Sequence, residues 1–427
     1  MIVCLTASTY AMYDFFIAVA PSVMTSQLMH SFHMTSTGLG WVGASFFYAY
    51  AIMQLPSGWM LDRYGAKRMM ISYSLLSCLG LILFATTSSY FVAMIGRFLS
   101  GTGVCIGFLA SYYLASRWLP HRYFSTAAAA LHCLGTVGAI IAQRPLALMV
   151  NNIGWRYTNL NLAAITVVLT MLYLFFIRDG ESSTEKSKTK LREALSYCYG
   201  NTQLRWIALV AFLAWLPFST IGALWGVPYL IKVFNWDNLT ASNFCALFWI
   251  GSGLGGFVLC GLSEWRGRRK KPMQLFFLIA VLSSLVIVWI PTFSKGVLLL
   301  SMLMLGLSVS VQTLTFSLIK ENVPQQYFSA ASGLNNSISM LSSAMGQALI
   351  GILMDWHRIN THTSFVDYTI SDYQFALAIV PIIAMIGWFV VTFKIKETYC
   401  IPVEKRLNKF SYNKESTYSK KEEISHN

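Results

Sequence analysis

At 427 residues, 56% of them hydrophobic and only 11% charged, with a mean hydropathy of +0.55, the chain carries too few charges to coat a soluble globule of its size. Lipid has to be part of its solvent. The formal net charge of +14 would suit a polyanion, yet most of the basic residues fall in segments on one side, which sets nucleic acid aside as a partner.

Apolar runs of about 20 residues, enough at about 1.5 Å per residue for a hydrocarbon core of about 30 Å, recur along the whole chain. Twelve are predicted, with cores near 4–25, 39–61, 69–88, 92–115, 125–149, 157–177, 205–231, 240–262, 273–292, 296–319, 328–354 and 374–393. The first lacks a charged leader and a small-residue cleavage site, so it reads as a spanning helix and not a signal peptide. Over the loops that an inside N-terminus makes cytoplasmic, Lys and Arg number 25 of the 31, while the external loops hold only Arg156, Lys232, Lys295 and Arg358. Both termini are therefore predicted to be cytoplasmic, in a cell (inner) membrane. The eight cysteines show no C-x-x-C and none falls in an external loop; His30 and His33 read as solvated polar residues. No metal or cofactor is expected.

Between helices 2 and 3 the run Gly58-Trp59-Met60-Leu61-Asp62-Arg63-Tyr64-Gly65-Ala66-Lys67-Arg68 leaves about seven residues for a turn, with Gly58 and Gly65 supplying close approach and positive φ. Asp62 stands where the incoming helix ends and can accept from a neighbouring helix N-terminus, while Arg63, Lys67 and Arg68 hold the loop on the basic side. The chain also repeats itself. Leu119-Pro120-His121-Arg122-Tyr123-Phe124-Ser125-Thr126-Ala127-Ala128 returns as Val323-Pro324-Gln325-Gln326-Tyr327-Phe328-Ser329-Ala330-Ala331-Ser332, and the charged turn returns as Glu264-Trp265-Arg266-Gly267-Arg268-Arg269-Lys270-Lys271 at nearly the same offset. Two duplicated six-helix halves in parallel orientation follow. They are placed at 1–177 and 204–394, with a hydrophilic linker at 178–203 that includes a short surface helix over Leu191–Tyr199, and a disordered tail at 395–427.

Three ionisable groups are counted well inside predicted helices: Asp14, Arg97 and Arg144. Each costs desolvation and is a functional candidate on that ground. Asp14 either binds and releases a proton or pairs structurally. Arg97 either works at the cavity or snorkels to water, and Arg144 either grips a substrate carboxylate or snorkels to the outer headgroups. Uncharged polar groups near the midplane include Tyr13, Gln54, Tyr112, Gln312, Asn335 and Asn336, some lining a path and others bonding between helices. Pro217, Gly222, Gly226 and Pro228 make helix 7 easy to bend. No G-x-x-x-x-G-K-S/T is present, which argues against an ATP-driven pump, and a single intramembrane carboxylate without H-E-x-x-H argues against a membrane enzyme.

The charged turn resembles motif A of the major facilitator superfamily, G-x-x-x-D-R-x-G-R/A-K/R-K/R, and Arg97-Phe98-Leu99-Ser100-Gly101-Thr102-Gly103 resembles its motif B. Gly135 and Gly138 with Pro145 match motif C of drug antiporters only in part, because the closing G-P-x-x-G-G is absent, and multidrug efflux is disfavoured. Gln143-Arg144-Pro145-Leu146 and Trp225-Gly226-Val227-Pro228-Tyr229-Leu230, among other phrases, are similar to bacterial phagosomal amino-acid transporters and lysosomal dipeptide transporters. The resemblance implies an all-α fold of twelve transmembrane helices in two parallel-related six-helix bundles, and alternating-access transport by a monomer. Proton-coupled amino acids or short peptides are the first expectation; small organic anions, or a non-transporting receptor, are the alternatives. On this reading Asp14 and Arg97 couple protons, and Arg144, Tyr13, Tyr112, Gln312, Asn335 and Asn336 bind substrate. Gly58, Asp62, Arg63, Gly65, Lys67 and Arg68, with Glu264 and Gly267, form the gate.

Overall fold

The computed structural model describes residues 2–118, 124–179, 191–289, 294–361 and 368–401, with only the backbone of Asp62, 124–129, Leu191 and Gln325. These residues are helical almost throughout, and ten stretches are long and apolar enough to cross a membrane. One of them, Ala130–Phe176, spans 47 residues, about 70 Å of helix and twice what a bilayer needs. It divides at Gly154, whose φ of 77° is open to glycine and strained for other residues. Ser36–Tyr64, 29 residues diluted by Gly, Ser and Tyr, adds one more. Twelve passes result.

We number the helices α1 (Ile2–Val23), α2 (Ser36–Tyr64), α3 (Ala66–Thr86), α4 (Tyr90–Trp118), α5 (Phe124–Ile141), α6 (Arg144–Phe176), α7 (Thr202–Phe234), α8 (Asn238–Trp265), α9 (Lys270–Trp289), α10 (Lys295–Asn322), α11 (Phe328–Thr361) and α12 (Ile370–Phe393). The first ten residues of α6 continue α5, and α6 crosses back after Gly154. Apolar side chains such as Phe91, Val168, Leu282 and Ile382 stay exposed, as a surface solvated by lipid requires. Within the first half α3 packs on α4 and α6, and α1 on α5; in the second α8 packs on α10, and α9 on α12. The halves meet along two seams, α2 against α11 and α5 against α8.

The bundle has a terminal end, which carries Ile2, Gly65 and Ile401, and an opposite, distal end. At the terminal end the turn between α2 and α3 is tighter than expected. Helix α2 runs on to Tyr64 and α3 starts at Ala66, so Gly65 alone makes the turn, with φ 80° and ψ 162°. Gly58 lies inside α2, where an added Cβ would meet only Leu109 at an ordinary 3.7 Å, so no close approach depends on it. The Asp62 carboxylate lies outside the described residues. The N-terminus of α3 is capped by Asp179, whose Oδ1 accepts from the Lys67 N–H at 2.9 Å. The second half repeats this device: Glu397, just past α12, accepts from the N–H groups of Arg269 (2.8 Å) and Lys270 (3.0 Å) at the start of α9.

That contact corrects the expected disorder of the tail at its start. Thr398 is fully buried and donates to Glu321 Oε2, while Arg269 reaches Glu321 Oε1 through Nε (3.0 Å) and Nη2 (2.6 Å). From 402 onward the tail lies outside the described residues, as does the linker over 180–190. The linker's surface helix forms over Leu191–Gly200.

Candidate functional site

Three helices of the first half place two charges in the interior. Asp14 on α1 is 1% exposed and accepts from the Tyr50 hydroxyl of α2 at 3.0 Å. Arg97 on α4 is 2% exposed, lies with its guanidinium 4.6 Å from the centre of the Phe46 ring, and donates from Nη1 to the Ile17 carbonyl at 3.2 Å. The local sequence explains that carbonyl. Pro21 stands four residues after Ile17 and has no N–H to give it, so a helical acceptor is left for a side chain from elsewhere. Phe46 and Tyr50 are one turn apart on α2, and Asp14 and Ile17 nearly so on α1. The residues that hold the two side chains therefore lie about one helical turn apart on α1 and on α2.

They do not neutralise one another. The ion pairs among the described residues are Arg269–Glu321, His357–Asp372 and Arg358–Asp355, and neither Asp14 nor Arg97 takes part. The Arg97 Nε–H has no acceptor among the described residues. A buried cation held by one carbonyl and one ring face is short of the partners its burial calls for. The arrangement can receive an anion at Arg97, and it holds the Asp14 carboxyl group in the interior of the same three helices.

The remaining expected residues divide. Tyr13 is buried but committed to the first half, its hydroxyl lying between Ser77 Oγ (3.2 Å) and Thr166 Oγ1 (2.5 Å). Tyr112 is half-buried beside Phe108. Gln312 is buried in α10. Asn335 is buried in α11, donates to Thr315 Oγ1 at 2.9 Å and lines a cavity of about 270 Å³ between α7, α10, α11 and the surface helix; Asn336 beside it is half-buried. Arg144 is exposed. The helix breaks at Ala142 and Gln143, and it is Gln143 that turns inward, fully buried with both amide atoms unpartnered. The structure thus buries Asp14 and Arg97 within the same three helices and does not bring Arg144 to them.

The sequence reading missed His132 and the aromatic seam around it. Phe15 of α1 lies 5.1 Å from Phe108, 6.1 Å from His132, 5.2 Å from Phe218 and 6.2 Å from Trp249, and Phe218 stacks on Trp215 at 4.1 Å. These rings close the centre of the interface between the halves, with the indole N–H groups of Trp215 and Trp249 buried and unpartnered. His132 faces the backbone of Ser252 across the α5/α8 seam. Counting histidine among the ionisable groups in helix 5 would have flagged it. Helix α7 is wound as a π-helical segment over Phe218–Trp225, directly after Pro217, in the region where bending was expected. Both charged loops carry one glycine at positive φ, Gly65 (80°) and Gly267 (59°); Arg63, Arg68 and Glu264 are exposed and Lys67 half-buried.

A family model described as Major Facilitator Superfamily matches residues 4–347. The chain is 25% identical over 265 residues to a probable sulfoacetate transporter of Cupriavidus necator, a match covering 62% of this chain and only 57% of that protein. It is 19% identical to a probable galactarate/D-glucarate transporter of Escherichia coli strain K12, over 78% of this chain and 82% of the relative. To the gentisate transporter of Corynebacterium glutamicum it is 22% identical, over 91% and 88%. By name these three carry organic anions, and none is an amino-acid or peptide transporter, so the narrower branch expected from the sequence phrases is not supported. Among solved structures, the nucleoside transporter NupG superposes with a TM-score of 0.74 at 16% identity, over 93% of this chain and all of that one. The D-xylose–proton symporter gives 0.74 at 13%, over 94% and 99%.

Proposed function

This chain belongs to the major facilitator superfamily as a membrane transporter and not an enzyme, and from that premise we propose that its cargo is a small organic anion, carried with protons by alternating access. The observation that carries the reading is Arg97: buried between α1, α2 and α4, unmatched by any described carboxylate, with one donor edge unsatisfied. A carboxylate or sulfonate presented to Nε and Nη2 would meet that edge as a two-pronged acceptor. Asp14, buried within the same three helices, would hold the coupled proton, so that loading the anion and loading the proton are felt by each other through a low-dielectric interior. The names of the relatives agree with this cargo class. The charge bias of the loops supports cytoplasmic termini in a cell membrane, with the distal end outside. The loop of Asp62, Arg63, Gly65, Lys67 and Arg68, with Glu264 and Gly267, would gate the cytoplasmic side.

The test is binding to purified protein by calorimetry across sulfoacetate, glucarate, gentisate, free amino acids and dipeptides. Saturable binding of at least one anion, lost in Arg97→Ala, is expected. Binding confined to amino acids or dipeptides would replace this reading with the other.

A further inference from the structure

The N-terminus of α2 lacks a local cap. Thr35, at the capping position, makes no side-chain bond to the helix, and the Ser36 hydroxyl is buried without a partner. The first turn of a helix leaves backbone N–H groups that normally take such a local acceptor. Here the acceptors come from the other half of the protein. The Tyr368 hydroxyl, just before α12, accepts from Ser36 N–H at 2.8 Å, and Asp355 Oδ2, near the end of α11, accepts from Thr37 N–H at 3.0 Å. The two acceptors are joined, since the Tyr368 hydroxyl donates to Asp355 Oδ1 at 2.5 Å. Arg358 completes the group, 3.7 Å from Asp355 and with its guanidinium 4.4 Å from the centre of the Tyr368 ring.

Both sides are held stiffly. Glycine brings the backbones into contact: a Cβ on Gly351 would collide with the Ser36 carbonyl, and one on Gly40 would lie 2.6 Å from the Gln347 carbonyl. On the second half, Tyr368 is fixed by the capping box of α12, in which Thr369 and Asp372 cap each other, and His357 bonds Asp372 at 2.6 Å. Burial, and then the bond to Asp355, raise the Tyr368 phenol above its ordinary range, which keeps it a hydroxyl. Across the bundle the start of α8 has a weaker counterpart, Asn238 Nδ2 donating to the Val23 carbonyl at the end of α1 at 2.7 Å.

We propose that Asp355 and Tyr368 are a latch on the distal end, capping α2 only while that end is shut, so that their strength sets how often the distal gate opens. Opening by any movement that parts α2 from α11 strips two N–H groups of their acceptors and removes a carboxylate from the positive end of the α2 dipole. The latch rests on the alternating-access reading but not on which solute is carried.

Hydrogen exchange measured by mass spectrometry on the full chain in nanodiscs, without substrate, tests it. Asp355→Asn keeps the shape and weakens the acceptor; Tyr368→Phe keeps the ring and removes both bonds. Each should speed exchange about tenfold over 36–47, over 347–354 and, because the halves part together, over 238–245 on the other seam. Acceleration limited to 36–38 would reduce the group to a local cap and overturn the latch, as would unchanged exchange in both variants. Should Asp355→Asn fail to fold, Tyr368→Phe alone decides between these outcomes. Unchanged anion binding in the same variants leaves the cargo reading intact, so the two claims fail separately.

Discussion

Replacing Arg97 by lysine and by alanine should separate a binding arginine from a structural one. Nη1 is already spent on the Ile17 carbonyl, and Nε is free, so the edge offered to an anion is Nε with Nη2. Two hydrogen bonds to a charged partner contribute about 1.5–3 kcal/mol each. Lysine keeps the charge but not the fork, and loses about one of the two, which at about 1.4 kcal/mol per decade is a loss of affinity of roughly 10- to 150-fold. Alanine loses both and should bind at least about 100-fold more weakly. Stability should move differently. The ion-pair deficit means that Arg97→Ala removes an under-partnered buried cation, so the Tm of the empty protein should change by only a few degrees despite lost packing on Phe46. Calorimetry with the tightest anion and a thermal melt on the same samples read both numbers. Wild-type affinity in Arg97→Lys, or a collapse of Tm in Arg97→Ala with the affinity of the surviving protein intact, would refute the reasoning.

Asp14→Asn keeps a group able to accept from Tyr50 but cannot exchange a proton, so accumulation against a gradient should vanish while counterflow exchange persists; uphill uptake in that variant would clear Asp14 of coupling. Gly101→Ala drives a methyl group into the Phe46 carbonyl and should destabilise by about 1–3 kcal/mol. Gly256→Ala, with nothing within 4 Å of the new Cβ, should be neutral or slightly stabilising; equal Tm shifts in the two would contradict the packing described. Glu397→Gln and Asp179→Asn each weaken a charged cap and should cost about 1 kcal/mol apiece, additively, because the two caps share no partner.

Much of the fold was legible because membrane length, loop charge and a duplicated turn are local properties. The burial of Asp14 and Arg97 could also be read, since each sits mid-run in an apolar helix. The contacts between distant residues could not. Pro21 announces an orphan carbonyl at Ile17, but nothing local says that an arginine 80 residues on will take it. Arg144 and Gln143 differ by one step of about 100° around a helix, and the break beside Pro145 decides which of them turns inward. Glu397 and Thr398 read as part of a polar tail until α9 and Glu321 supply their partners. Asp355 looks like one more charge at a helix end, and its use as a cap for α2 exists only once the two halves are closed on each other.

Uptake of labelled sulfoacetate, glucarate and gentisate into proteoliposomes under an imposed pH gradient, with labelled amino acids and dipeptides alongside, reads cargo and coupling in one measurement. Saturable accumulation of at least one anion, collapsed by dissipating the gradient and absent in Arg97→Ala, is expected. Accumulation of a zwitterion with no anion carried, or anion flux that survives Arg97→Ala unchanged, would contradict proton-coupled anion transport through Arg97.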